Sequence, residues 1–117
     1  MEHNIILRPW GSYECLIGGT NEGYLTKILI VKPGMKLSLQ SHNHRSEHWI
    51  VVKGFIKAIV GESQKIVNVN QYIYVPKKEV HRIINIGNTD AVIIEVQIGD
   101  VLDENDIVRY EDDWGRK

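Results

Sequence analysis

The sequence predicts an all-β fold, either a barrel or a sandwich. Its apolar residues come in short blocks dominated by Ile, Val and Tyr, which favour strands. Gly, Asn, Pro and charged residues separate these blocks at intervals of roughly eight to twelve residues, as in strands joined by tight turns. Helical periodicity is nearly absent. A length of 117 residues with 43% hydrophobic content suits a single domain with one core.

The positions of these turn residues define the predicted elements in chain order. Residues 1–20 form an N-terminal arm with a strand-like piece at 4–8, residues 21–99 form the barrel, and residues 100–117 form an acidic tail. Eight barrel strands are predicted at 24–32, 37–40, 47–53, 55–60, 65–69, 72–75, 80–85 and 91–98. Asp103 and Asp106 precede the apolar Ile107 as at a helix start, so the tail is predicted to carry one short C-terminal helix at 103–110.

Charge and cysteine content exclude several classes of function. The formal net charge is -1, so the chain offers no cationic field for nucleic acid or an anionic membrane, and neither is expected as a partner. Cys15 is the single cysteine and cannot form an internal disulfide. The first residues lack the features of a signal peptide, and no apolar run approaches the length of a spanning helix. We therefore expect a cytoplasmic protein.

Histidines are concentrated in two stretches of the chain, 40–48 and 80–82. Alternate side chains of a strand share a face, so Gln40, His42 and His44 can all point into a barrel, and Glu47 can return to that face after a break in the period. His81 on a second strand would complete the cluster. Imidazole and carboxylate ligands without thiolates suit a divalent ion such as zinc, iron, manganese, cobalt or nickel, with positions left open for a substrate.

Two other histidines are interpreted differently. His48 has the opposite parity to Glu47 and Trp49, so on a regular strand it leaves the pocket and is structural. His3 stands alone in the arm and is interpreted as a surface group.

These residues resemble the two metal-binding motifs of the cupin superfamily, whose fold is a jelly-roll barrel, also called a double-stranded β-helix. The first motif fits Gly34, Gln40, His42, Glu47 and Gly54, with Gln40 at the position of the first histidine. Pairing His42 with His44 instead leaves the spacing to Glu47 one residue short. The resemblance thus favours Gln40, His42, Glu47 and His81 as ligands.

The second cupin motif fits Asn70, Pro76, His81 and Asn85. It departs from the superfamily pattern where Asn70 and Lys78 stand in place of glycines. These departures affect turn geometry and leave the ligand His81 in place.

Nearly the whole chain is similar to the type II phosphomannose isomerases, cupin domains often fused behind a mannose-1-phosphate guanylyltransferase. The similarity is carried by blocks at 8–11, 31–34, 37–40, 44–49, 95–99, 106–109 and 115–116. It implies a metal-dependent isomerase, zinc being the first choice of metal, that interconverts mannose 6-phosphate and fructose 6-phosphate through an enediol. The guanylyltransferase half is missing from these 117 residues.

Further site residues follow from the needs of this reaction. Phosphate calls for guanidinium groups, and the resemblance implies that Arg45, Arg109 and Arg116 serve the site, whereas Arg82 is a fourth candidate. His44 is the expected proton shuttle because of its inward parity, with Glu95 and Lys36 as weaker options.

Assembly and two other functions complete the expectations. The N-terminal arm is expected to support a homodimer, and the acidic tail to act as a lid over the barrel mouth. An alternative function is a non-catalytic cupin that binds a sugar phosphate and partners a separate mannose-1-phosphate guanylyltransferase. A metal-dependent oxygenase is disfavoured because such cupin sites usually carry three histidines and a glutamate, whereas Gln40 replaces one histidine here.

Overall fold

The computed structural model describes residues 4–111, which form two antiparallel sheets facing each other. The larger sheet has the order β1-β2-β3-β10-β5-β8 and the smaller the order β11-β4-β9-β6-β7. The strands are β1 Ile5–Arg8, β2 Gly11–Gly19, β3 Tyr24–Val31, β4 Leu39–Ser41, β5 Arg45–Lys53, β6 Ile56–Val60, β7 Ser63–Val67, β8 Tyr72–Val75, β9 His81–Ile84, β10 Ala91–Gly99 and β11 Val108–Glu111. A single 3-10 turn at Thr20–Glu22 joins β2 to β3.

The eight barrel strands predicted from the sequence are all present as β3 to β10, and the strand-like piece at 4–8 is β1. Alternation explains why they form a barrel. In β3 the residues Leu25, Lys27, Leu29 and Val31 are buried, and the residues between them are more exposed. One face of each long strand is therefore given to the interior.

The predicted helix at 103–110 is wrong. Residues 103–106 form a turn closed by a hydrogen bond from Asp106 N–H to the Asp103 carbonyl, and the chain then enters strand β11. β11 pairs with β4, with Arg109 opposite Gln40. Backbone pairing with a remote strand has overridden the local helix-start pattern.

Residues with positive φ, a conformation that favours glycine, lie in the turns between several strands. Gly34 and Gly54 have φ values of 75° and 71°, and Asn70 and Lys78 have values of 73° and 69°. Within residues 4–111, Asn70 and Lys78 are the non-glycine residues with positive φ. They are the two positions where the second cupin motif usually carries glycine, so the turn geometry is kept despite the substitutions.

The N-terminal arm belongs to the larger sheet. Strand β2 pairs with β3 along its length, whereas β1 is an edge strand that, among the described residues, pairs only with β2. Ile5 and Leu7 on β1 are exposed, Leu7 by 77%. The homodimer expected through this arm stays a prediction. In the described part of the chain, no helix has the length and apolarity needed to cross a bilayer.

Candidate metal centre

Three sequence-predicted ligands meet between the two sheets. His42 follows β4, His81 begins β9 in the same sheet, and Glu47 lies on β5 of the opposite sheet. All three side chains are buried, and each offers a ligand atom within 4.8 Å of the others. Burying polar groups costs free energy unless they have partners. The convergence of three such groups therefore indicates a binding site.

Glu47 lies at the centre of the cluster. Its Oε2 is 3.2 Å from Nε2 of His42, and its Oε1 is 3.8 Å from Nε2 of His81. Oε1 also accepts a hydrogen bond from Nε1 of Trp49 at 2.9 Å, and Oε2 accepts one from Nε of Arg45 at 2.9 Å. These two donors orient the carboxylate toward the imidazoles.

Backbone carbonyl groups orient the two imidazole rings. Nδ1 of His42 lies 2.6 Å from the Asp106 carbonyl oxygen, and Nδ1 of His81 lies 2.9 Å from the Glu79 carbonyl oxygen. Because a carbonyl oxygen can only accept, each Nδ1 carries a proton, and Nε2 is the ring atom that faces Glu47 and is left to bind a metal. This is the arrangement in which histidine binds a metal through Nε2.

The surroundings of the two Nε2 atoms suit a positive charge. Among residues 4–111, the buried Nε2 of His81 has no hydrogen-bond partner, and Nε2 of His42 faces a Glu47 carboxylate oxygen at 3.2 Å. Acceptors held this close to one another repel unless a positive charge lies near them. Nη2 of Arg45 supplies one such contact, 3.1 Å from Nε2 of His42. The residues therefore fit a divalent ion held by imidazole and carboxylate groups.

Electrostatics prepares these groups as ligands. Burial is the main reason that the pKa of His42 falls to about 4, and the charge of Arg45 lowers it further. Burial opposes ionisation of Glu47, but His81 and Arg45 outweigh it and hold the pKa of that carboxyl below its usual range. At neutral pH the cluster thus offers a neutral His42 and an ionised Glu47, the protonation states that metal binding requires.

Gln40 adjoins the cluster as expected for a fourth ligand. Its backbone pairs with His81, and its amide Nε2 is 3.5 Å from Nε2 of His42. Oε1 of Gln40 accepts a hydrogen bond from Oγ of Ser38 at 2.8 Å. Rotating the amide by half a turn would direct Oε1 at the cluster, and the Ser38 hydroxyl could then accept from the amide nitrogen.

The inward placement predicted for His44 is wrong. Its side chain is 51% exposed, and Nδ1 lies 3.8 Å from Asp100 on the outside. The alternation of β4 stops at Ser41 because the chain bends at Asn43 and His44 before β5 begins. The Asp106 carboxylate holds this bend by accepting the N–H groups of Asn43 and His44 at 3.0 and 2.9 Å.

The other predicted site residues lie in different surroundings. Arg45 is buried against Glu47 and His42, and Arg109 lines the pocket beside them. Arg82 is structural, because its guanidinium donates to the Leu37 carbonyl at 2.8 Å and to Glu111 on β11. Arg116 lies outside the described residues. His48 packs on the outer face against Tyr74, as its parity predicts.

A pocket opens from the cluster toward β3, and not all the residues of its wall were predicted from the sequence. Lys27, Glu95 and Glu104 all line it. Burial and the negative charge of Glu47 raise the pKa of Glu95 to about 8, and Gln97 donates a hydrogen bond to Glu95 at 2.8 Å. The parity of Lys27, which it shares with the buried Leu29, was a sequence signal that could have found it. Glu104 had no such local signal.

This arrangement defines a cupin, a jelly-roll of two antiparallel sheets with a histidine and glutamate cluster inside it. Solved structures agree on the fold. The capsular polysaccharide assembling protein CapF from Staphylococcus aureus superposes with a TM-score of 0.82 at 22% identity, covering 95% of this chain and 33% of that one. A cupin 2 conserved barrel domain protein from Salinispora arenicola superposes with a TM-score of 0.69 at 18% identity, covering 81% of each chain.

The chain belongs to the family described as mannose-6-phosphate isomerase C-terminal, whose model matches residues 1–112. Xanthan biosynthesis protein XanB of Xanthomonas campestris is 45% identical over 97% of this chain and 24% of its own length. Mannose-1-phosphate guanylyltransferase ManC of Salmonella typhimurium is 41% identical over 97% of this chain and 23% of its own. The chain thus spans about a quarter of the length of these curated relatives.

Proposed function

We propose that this domain is a metal-dependent isomerase that interconverts mannose 6-phosphate and fructose 6-phosphate. The observation that carries the proposal is the convergence of two buried, oriented imidazole Nε2 atoms on Glu47 beside a pocket lined by cationic side chains. Membership of the mannose-6-phosphate isomerase C-terminal family supports the choice of substrate.

The reaction requires a proton to move between C1 and C2 of the sugar through an enediol, whose oxygens gain negative charge. His42, Glu47 and His81 would hold the metal, with the Gln40 amide oxygen as a fourth ligand, and we propose zinc. A bound divalent ion supplies Lewis-acid charge to the sugar oxygens. With Glu47 as the one anionic ligand, the site keeps a net positive charge that favours an enediolate.

The chain's own residues supply the remaining functions. Arg45 holds the Glu47 carboxylate in place and adds positive charge at the cluster. Arg109 lies on the pocket wall, where it can bind the substrate. Since His44 points outward, we assign the proton transfer to Glu95, a carboxyl group that is buried in the wall and held by Gln97. Arg116 stays a predicted substrate-binding residue.

Isotope exchange tests this function directly. The zinc-loaded full chain is incubated with fructose 6-phosphate in heavy water, and deuterium at C2 of the mannose 6-phosphate formed is measured by NMR. We expect turnover with deuterium incorporation, because the transferred proton comes from a side chain that exchanges with solvent. His48→Gln is the matched control. It removes a histidine from the same strand as Glu47 on the outer face, so exchange should persist.

The same experiment separates the alternative function. A chain that binds fructose 6-phosphate but gives neither product nor exchange is a non-catalytic sugar-phosphate-binding cupin, and the isomerase proposal then fails. ManC of Salmonella typhimurium bears the name of a guanylyltransferase, so adding a separate guanylyltransferase and measuring complex formation would test that partner role.

A further inference from the structure

A buried lysine in the pocket is paired with a carboxylate from a loop. Lys27 projects from β3 into the barrel, and its Nζ forms an ion pair with Glu104. The Lys27 side chain is 6% exposed, whereas that of Glu104 is 59% exposed. Burial alone would disfavour the ammonium, but the carboxylates of Glu95 and Glu104 outweigh it and raise the pKa of Lys27. A permanent cation therefore lies inside the barrel, covered by a half-exposed anion.

The pocket around this pair has an excess of positive charge. Besides Lys27, its wall contains the guanidinium groups of Arg8, Arg45 and Arg109. The acidic side chains in the wall are Glu104 and Glu95, and the raised pKa of Glu95 leaves it largely protonated at neutral pH. Nζ of Lys27 also lies 4.5 Å from the centre of the Tyr13 ring, a cation–π contact that favours the ammonium at this position. Such a wall suits a ligand with more than one negative charge, and a phosphate monoester carries such charge.

Glu104 can leave the pocket without unfolding its loop. The loop is anchored before Glu104 by the N–H of Leu102, which donates to Oγ1 of Thr20 at 3.0 Å. It is anchored after Glu104 by the Asp106 carboxylate, which accepts from the N–H groups of Asn43 and His44. Neither anchor uses the Glu104 side chain, so that side chain can rotate away from Lys27 while the loop keeps both anchors.

We propose that Lys27 is the phosphate-binding cation of this pocket and that Glu104 holds the anion position that the phosphate takes over. A phosphate monoester binds by displacing the Glu104 carboxylate from the ammonium, and the carboxylate turns into solvent. The proposal rests on the proposed function for the identity of the ligand as a sugar phosphate. It adds Lys27 to the site as a phosphate-binding residue. It adds Glu104 as an intramolecular competitor of the phosphate, which sets the affinity for phosphate.

Inorganic phosphate is the direct probe, titrated calorimetrically into the zinc-loaded full chain and its variants. Glu104→Gln removes the competing charge from an exposed side chain, so phosphate should bind about fivefold more tightly. A change in affinity of this size corresponds to the free energy of a partly exposed ion pair. Lys27→Met should weaken binding at least about tenfold, since the buried cation is lost. The control Asp100→Asn removes the same charge from an exposed residue of the same segment. It should leave the affinity within about twofold, because water and salt screen such a charge.

The outcomes distinguish this inference from the isomerase proposal. Equal phosphate affinity in wild type, Glu104→Gln and Lys27→Met overturns the inference, even if the wild type gives full isotope exchange. Binding that survives Lys27→Met and vanishes on chelation also overturns it, because the phosphate then lies on the metal. The expected order of affinities without any isotope exchange supports the phosphate site and refutes the isomerase. Glu104→Gln alters only an exposed side chain, so it keeps the test valid if Lys27→Met does not fold.

Discussion

The two ends of the barrel interior are built on the same strands and differ in chemistry. On β5 the inward residues change from Arg45 and Glu47 to Trp49 and Val51. Strands β3, β9 and β10, which also line the interior, repeat the change, from Lys27 to Leu29, from His81 to Ile83 and from Glu95 to Ile93. Inward-facing and outward-facing residues alternate in the same way at both ends, so this alternation accounts for the fold. The function depends on which inward positions are polar.

The polar end remains stable because its groups are partners of one another. Glu47 accepts from Arg45, and Gln97 donates to Glu95. Trp49, the first residue of the apolar end on β5, also donates to Glu47. Buried polar groups destabilise a core when they are unpaired and can be tolerated within a connected network. The apolar end needs only close packing. The two ends should therefore respond differently to mutation, pH and metal removal.

The apolar end should carry the largest effect on stability. Ile93 is fully buried in the core cluster, so Ile93→Ala should lower the free energy of unfolding by about 2–5 kcal/mol through lost packing and a cavity. Urea denaturation measures the loss. Zinc affinity of the folded variant should stay within about twofold of wild type because no ligand is touched. A large loss of zinc affinity would show that the two ends are coupled.

The polar end should carry the largest effect on activity. His81→Gln removes a candidate metal ligand, and zinc affinity should fall by more than about 100-fold, with isomerase activity at limiting zinc falling in parallel. Competition with a chromogenic chelator measures the affinity. Thermal stability without metal should fall far less than zinc affinity, because the hydrogen bond at stake is the one between Nδ1 and the Glu79 carbonyl, and Nε2 has no hydrogen-bond partner among the described residues. An unchanged zinc affinity would remove His81 from the ligand set.

Stability of the metal-free protein should depend on pH through the polar end. The pKa of His42 is about 4 in the fold against a reference of 6.5. Between those values the unfolded chain binds more protons, so stability falls as pH falls. Glu95 acts in the opposite direction. Its pKa is about 8 in the fold against 4.5, so the stability it contributes is lost as pH rises through that window.

Variants separate these two titrations. Urea unfolding with chelator present is compared at pH 5 and pH 8.5 for wild type, His42→Gln and Glu95→Gln. His42→Gln should reduce the acid loss of stability, and Glu95→Gln should reduce the alkaline loss. Ile83→Val, a change at the apolar end, should shift stability equally at both pH values. Parallel pH curves for all four proteins would contradict the assignment of the pH dependence to the polar end.

A turn near the site should show the smallest effect, and it is a gain. Lys78 has a φ of 69°, where a side chain is strained and glycine is not. Lys78→Gly should raise the free energy of unfolding by about 0.5–1 kcal/mol, allowing for the greater freedom of glycine in the unfolded chain. Thermal denaturation measures it. Lys77→Gly, one residue earlier and without a positive φ, should be destabilising, and the same gain there would refute the explanation.

Short-range patterns were enough to predict most of the fold. Strand alternation and turn residues predict β3 to β10, and motif spacing predicts that His42, Glu47 and His81 come together. Strand β2 was not predicted because Glu14 interrupts its apolar residues and glycines stand at both of its ends. It is a strand because it pairs with β3.

Long-range contacts explain what the sequence could not reveal. Asp106 looked like part of a helix start, yet its carboxylate binds the N–H groups of Asn43 and His44, more than 60 residues away. His44 has the parity of His42, but the bend that Asp106 holds turns it outward. Glu104 pairs with Lys27 across 77 residues. None of these contacts leaves a periodic signal in the chain.

The hydrogen bond between Nδ1 of His42 and the Asp106 carbonyl has a practical consequence for anyone who shortens this domain. A version that stops after Gly99 would retain Gln40, His42, Glu47 and His81 and would look complete by motif. It would nevertheless lack the acceptor that selects the tautomer of His42, together with the strand that lies beside Gln40. The metal centre therefore depends on contacts that extend through β11, and boundaries for expression or fusion should be drawn beyond Glu111.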